Sequence, residues 1–272
     1  MSTTVTGNKT KFWRVRALRN LELMSASYQM RSLPRRILER FDISLIEDGA
    51  ARVQYRGGSY LASQGDIVVV NPGEAYSVQP ADQHGWMFRS FYPTAADVGD
   101  AASEAMARPL PAPSFSRPVI QDSYVAELIR NLHVLLETPD MALERESCSV
   151  WAAAQLVTRH ADEGAQSKLA PADDAIRQVR DYINDNFSRN LTLGELAQIA
   201  GLSPFHLIHL FSKRLGLPPH AYLTQVRVNR ARDLLINGRA LAEVAQETGF
   251  VDQSHFHRHF KRLTGITPGQ FA

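Results

Sequence analysis

At 272 residues the chain has room for two domains, each with its own hydrophobic core. Its hydrophobic fraction of 44% and charged fraction of 21% exclude disordered and fibrous architectures, and the net charge of only +2 means that any strongly charged surface must be local. No stretch approaches the length of a membrane span, and the single cysteine, Cys148, cannot make an internal disulfide.

The first 20 residues are polar and basic and lack the apolar core of a signal peptide, so a cytoplasmic protein is expected. From residue 21 to 92 the pattern is one of short alternating or aliphatic runs: 41–46, 52–55, 60–62 and 67–70. Gly57-Gly58, Gly65-Asp66 and Asn71-Pro72-Gly73 mark the corners between them. Many short strands at even spacing predict a sandwich or a barrel. The segment Gly65 to Tyr76, GDIVVVNPGEAY, resembles the second cupin motif. Cupins that do chemistry hold a metal through an H-x-H pair and a later histidine. Here Arg36-Ile37-Leu38 and Tyr76 stand in those places, and neither arginine nor leucine is a metal donor. A metal-free domain without a catalytic constellation is therefore expected, with no cofactor.

Pro109, Pro111, Pro113 and Pro118 predict an extended connector. Beyond residue 119 the period becomes helical. Tyr124, Leu128, Ile129, Leu132, Leu135 and Leu136 form one apolar face, and a second helix is expected over residues 142–161, with Cys148 packed beside Val150 and Trp151. Residues 162–174, rich in alanine, glycine and acid, read as a linker.

The last 80 residues say the same thing twice. Aligning the two copies pairs Ala197 with Ala245, Gly201 with Gly249, Leu207 with Phe256, Phe211 with Phe260, Gly216 with Gly265, Pro219 with Pro268 and Tyr222 with Phe271. Each copy has the parts of a helix-turn-helix. Thr192 and Glu195 form a capping box, Gly201 permits the turn, and Ser203-Pro204 starts a second helix that Gly216 stops. In the second copy Gly249 makes the turn and Asp252 is the N-cap. The periodicity sends Leu207, Leu210, Phe211, Phe256, Phe260 and Leu263 inward. It leaves Phe205, His206, Ile208, His209 and Lys213 outward in one copy, and Gln253, Ser254, His257, Arg258 and Lys261 in the other. A plain helical bundle would also explain the hairpins. The polar outward faces favour DNA, as do nine basic against four acidic residues between 204 and 272.

The run Gly249-Phe250-Val251-Asp252-Gln253-Ser254-His255-Phe256, then Phe260-Lys261 and Gly265-Ile266-Thr267-Pro268, resembles the signature of the AraC/XylS family of bacterial transcription regulators. The resemblance implies an α+β chain: a cupin-like β-barrel with two flanking helices for effector binding and dimerisation (1–165), a linker (166–174), and an all-α double helix-turn-helix domain (175–272). It implies a long helix from Pro219 to Asn237 joining the two motifs. By the same resemblance Phe205, His206, Ile208, His209, Gln253, Ser254, His257 and Arg258 read bases, while Lys213, Arg227, Lys261 and Arg262 hold phosphates. The implied partners are operator DNA, RNA polymerase, a second copy and a small-molecule effector. For the effector, Arg36, Tyr76, Trp86, Phe88 and Arg89 lie near the positions that contact sugar in the arabinose-responsive member. Alternatively Trp86 and Phe88 are simply core residues of a last strand, and Arg36 sits in water. A barrel that only dimerises, or a cupin enzyme with a DNA-binding tail, are the competing readings of the whole chain.

Overall fold

A computed structural model describes residues 8–105, 113–137, 142–162 and 171–272. Pro109 and Pro111, and the central part of the expected linker, lie outside them. The chain divides into two units, residues 1–33 with 39–165, and residues 34–38 with 166–272.

The first unit is built on antiparallel strands β1 (Lys9–Val15), β2 (Leu21–Tyr28), β4 (Asp42–Tyr55), β5 (Gly58–Ser63), β6 (Ile67–Val70), β7 (Ala75–Pro80), β8 (Trp86–Tyr92) and the short β9 (Val119–Ile120), a segment read as the onset of helix from sequence; β3 (Leu33–Ile37) falls mostly to the second unit. Three helices follow the strands or interrupt them: α1 (Ala95–Ala105), α2 (Ser123–Leu135) and α3 (Ala142–His160). Strand β4 is the spine. Its first half pairs with β6 and β8, and after a register shift between Ile46 and Asp48 its second half pairs with β5 and β7. The two runs expected at 41–46 and 52–55 are thus one strand of 14 residues.

The expected closed barrel is not what forms. The main ladder runs β1-β2-β8-β4-β6-β9 and stops at both ends, so among the described residues the sheet is open. Closure needs two free edges to meet at a consistent shear. Here β9 offers only two residues, and a helix end occupies the space beside β1: the Trp13 indole donates to the Leu136 carbonyl at 3.2 Å, and Lys11 pairs with Glu137 at 2.8 Å.

Strand parity splits the sheet into two faces. Leu23, Ile43, Leu45, Ile67, Val69 and Phe91 pack under α1–α3, against Val98, Ala102, Val125, Ile129, Leu132 and Leu156. The opposite parity carries Tyr28, Trp86 and Phe88 together with a buried polar set, in which the Asp42 carboxylate accepts from Ser44 and Tyr76.

The second unit is helical: α4 (Pro171–Asp185), α5 (Leu193–Ala200), α6 (Pro204–Leu215), α7 (Pro219–Ile236), α8 (Leu241–Glu247), α9 (Gln253–Thr264) and α10 (Pro268–Phe271). Helix α4 begins inside the expected linker, at Pro171.

Candidate nucleic-acid interface and effector unit

The repeat has the same anatomy in both copies because each aligned pair does one job. Ala197 and Ala245 are buried where the first helix of each motif meets the second, and Leu207 with Phe211, like Phe256 with Phe260, fills the interior. Pro219 and Pro268 are buried at the starts of α7 and α10, and Tyr222 and Phe271 close the core three residues later. The Phe211 and Tyr222 rings meet edge to face at 5.5 Å, and the Phe260 and Phe271 rings at 5.3 Å.

Both second helices start on a side-chain cap. Ser203 accepts from the His206 amide in α6, with Pro204 at the first position, and Asp252 accepts from the His255 amide at 2.6 Å in α9. Before them, Gly201 (φ 63°) and Gly249 (φ 78°) take left-handed backbone. The two are not equivalent. Space around a Cβ at Gly201 is open, whereas at Gly249 it would lie 2.5 Å from the Ser188 carbonyl oxygen.

These starts orient the outward faces. Phe205, His206, Ile208 and His209 are exposed on α6, as are Gln253, Ser254, His257 and Arg258 on α9. Phe205 is 81% exposed and Ile208 39%, so neither is spent on the core. Lys213, Lys261 and Arg262 are exposed in the last turns of the same helices. His259 is different: burial first, then His255, Arg262 and Arg258, push its pKa down to about 4, so it adds no charge to α9 at neutral pH. Arg227 on α7 donates from Nε to the Phe187 carbonyl at 2.8 Å and from Nη2 to the Arg189 carbonyl at 2.9 Å, and lies over the Phe250 ring. Its guanidinium ties the segment before α5 to α7, so a phosphate can use only the donors these two bonds leave over. Sequence reasoning passed over Val251, 87% exposed immediately before the α9 cap. The available signal was an apolar residue in a turn with no packing partner to serve.

Of the five expected effector residues, the four in the first unit do not share one face of the sheet. Tyr76, Trp86 and Phe88 are buried on the face of the sheet away from α1–α3, with Trp86 and Phe88 stacked at 4.3 Å. Arg89 points to the other face, where it donates to Glu47 at 2.8 Å and Glu137 at 2.7 Å. Arg36 belongs to the second unit, buried, and donates to the Leu263 carbonyl at 3.2 Å. No group of three or more metal-ligating side chains occurs among the described residues.

A family model described as a helix-turn-helix domain matches residues 196–272, and one described as an AraC-like ligand binding domain matches residues 20–151. An uncharacterized HTH-type transcriptional regulator of Bacillus subtilis is 26% identical over 83% of this chain and 82% of its own length. The arabinose operon regulatory protein of Escherichia coli is 34% identical over 43% of this chain, a match that spans only 41% of that relative. Among solved structures, ToxT from Vibrio cholerae bound to an unsaturated fatty acid covers this whole chain and 96% of its own, with a TM-score of 0.56 at 12% identity, a likeness of fold.

Proposed function

The chain belongs to the AraC/XylS family of DNA-binding transcription regulators, and on that footing we propose that it reads operator DNA with the exposed faces of α6 and α9 and is set by a small molecule held in its N-terminal unit. The observation that carries the DNA reading is the repeat itself: five aligned pairs keep matching interior places and two glycine pairs keep left-handed backbone, while eight outward side chains stay exposed in two capped helices. The protein is a regulator, not an enzyme. The match of residues 20–151 to a ligand binding domain supports the effector, as does the fatty acid named for ToxT. RNA polymerase and a second copy of the chain are the further partners proposed. No helix among the described residues is long and apolar enough to cross a membrane; action in the cytoplasm is proposed from the DNA-binding reading.

The two motifs are expected to enter successive major grooves, about 10 to 10.5 base pairs apart on one face of the duplex. Gln253 can pair its amide with an adenine, Ile208 can meet a thymine methyl, and His209 and Arg258 can reach guanine or phosphate. Gln253→Ala or His209→Ala is expected to cost roughly 1 to 3 kcal/mol on the best site and to relax preference at one base position each. Lys213→Ala, Lys261→Ala and Arg262→Ala should weaken binding to all sequences alike and reduce the salt slope by about 1 each. Selection of sites from random DNA, followed by footprinting of the consensus at several salt concentrations, checks both sets. An unchanged consensus from both base-reading variants, or a footprint confined to one groove, would overturn the assignment.

A further inference from the structure

The N-terminal unit contains a cavity of about 360 Å³ whose lining includes none of the residues expected to hold the effector. It lies between the helix-facing side of the sheet and helices α1, α2 and α3. Ile43 and Phe91 form its floor, and Val98, Leu132 and Leu156 are among its apolar walls. That size is at the lower end of small-molecule sites, and an apolar wall with a few polar groups at one side is their usual chemistry.

The polar groups are Arg19, Asp97, Asp100, Glu146 and Ser149. Their hydrogen-bonding capacity is unevenly spent. Asp97 accepts from the Thr94 amide and hydroxyl and from Arg19, and Asp100 accepts from the same Arg19 nitrogen at 2.9 Å through Oδ2. Ser149 donates its hydroxyl proton to the Arg145 carbonyl. What is left is the second oxygen of Asp100 and the carboxylate of Glu146, which forms no ion pair among the described residues. Both are acceptors only when ionised. Three carboxylates against one guanidinium, already bridged by two of them, leave the lining negative.

We infer that this cavity is the effector site and that it takes a cationic amphiphile: an apolar body seated against Ile43, Phe91 and Leu132, and an ammonium or amidinium group at Asp100 and Glu146. A fatty acid or other carboxylate meets the wrong charge there. The inference rests on the reading of this chain as an effector-controlled regulator, and deepens it by naming the site and ligand class.

The probes are 4-phenylbutylamine, 4-phenylbutanol and 4-phenylbutanoate, which share one body and differ in the head group. Binding to the full-length protein is followed by calorimetry and by the shift in thermal midpoint. The amine is expected to bind at least about tenfold more tightly than the carboxylate, as one charge-assisted hydrogen bond would give. Asp100→Asn with Glu146→Gln should abolish that preference. Asp97 is left in place because it caps α1. Ala153→Phe, which fills the cavity from α3, should abolish binding of all three. Because A153F could disturb packing, its ligand-free thermal midpoint and near-ultraviolet circular dichroism are compared with those of the parent. If it proves misfolded, the charge-neutralisation result from the double variant decides alone.

Failure to bind any probe, equal binding of amine and carboxylate, or undiminished binding to a folded A153F overturns the inference. The reading of effector control is tested separately, through operator affinity with and without host-cell extract. An extract response that survives in folded A153F retains the control and removes it from this cavity. Binding of the amine with the expected preference, in a protein whose operator affinity responds to nothing, retains the binding site and removes the control.

Discussion

Gly249→Ala is expected to destabilise the DNA-binding unit by about 3 kcal/mol or more, while Gly201→Ala at the aligned position costs about 1 kcal/mol. Both replace a residue with left-handed backbone, and that alone costs a β-carbon about 1 to 2 kcal/mol. The difference comes from the surroundings. At Gly201 the new methyl meets nothing within 4 Å, but at Gly249 it would sit 2.5 Å from the Ser188 carbonyl oxygen and 2.9 Å from its carbon. Those are backbone atoms, so relief requires the chain before α5 to move away from the second motif. Arg227 holds that same segment through the Phe187 and Arg189 carbonyls, so it cannot yield cheaply. Far-ultraviolet circular dichroism during denaturation, with operator binding as a second readout, measures the two variants. Equal losses would show that the contact to Ser188 carries no weight.

The second large effect is on the pH dependence of the N-terminal unit, through His133. This residue is fully buried on α2, between the Trp13 and Phe91 rings at 4.9 and 5.0 Å. Its Nε2 faces the Met24 carbonyl at 3.3 Å and its Nδ1 faces the Arg89 guanidinium at 3.1 Å. A carbonyl can only accept and a guanidinium can only donate, so the neutral ring with its proton on Nε2 satisfies both. Burial, and then the positive charge of Arg89, push the pKa down to about 4, against the partial support of the Met24 carbonyl and Glu137.

The direction of the pH effect follows from proton counting. Between about pH 6.5 and 4 the unfolded chain takes up a proton that the folded chain refuses, so stability falls as the pH falls through that window. The gap corresponds to about 3 kcal/mol, reached near pH 4, below which this group contributes no further slope. All three tryptophans, Trp13, Trp86 and Trp151, lie in the N-terminal unit, so tryptophan fluorescence reports its unfolding. His133→Gln removes the titration and keeps a donor for the Met24 carbonyl. It should lower stability at neutral pH but flatten the loss between pH 6.5 and 4. An unchanged slope in that variant would assign the effect elsewhere.

How much of this was legible in the sequence differs between the halves. In the C-terminal half the informative contacts are local. A cap, a turn glycine and an apolar period each span a few residues, so the Thr192–Glu195 box, the Ser203 and Asp252 caps and the buried Phe211 and Phe260 could be read directly. Even there, the close approach of Ser188 to Gly249 joins residues 61 positions apart, and no spacing announces it.

In the N-terminal half the deciding contacts are between strands. Alternation could be read, and it offered Trp86 and Phe88 as core residues of a last strand. The partner of each strand edge could not. Evenly spaced runs therefore suggested closure, whereas the long β4 bends through a register shift and joins two groups of strands without sealing them. Strand β1 was not anticipated, because four of its seven residues are Lys, Thr, Lys and Arg and the N-terminus read only as polar and basic. The cavity was invisible for a related reason: it is assembled from six strands and helices and the turn between β1 and β2, and none of them carries a motif.

An open sheet also carries a liability that a closed one does not. Unpaired amides and carbonyls along a terminal strand can recruit an extended segment of another chain, and growth from such a template is a route to amyloid-like aggregates. Strand β1 is the outermost of its ladder, and its exposed Lys9 and Lys11 place like charges along the margin that a second chain would have to match. Trp13 and Lys11, anchored to the end of α2, keep that guard strand in place. Peeling β1 away would bare β2, whose residues from Leu21 to Tyr28 include two acceptable hydrophobic templates' worth of side chains, Leu21, Leu23, Met24, Ala26 and Tyr28, and a single carboxylate, Glu22. The basic N-terminal strand thus guards an edge as much as it builds the sheet: proteolytic trimming past Val15 is expected to promote aggregation through the bared β2, which light scattering would detect.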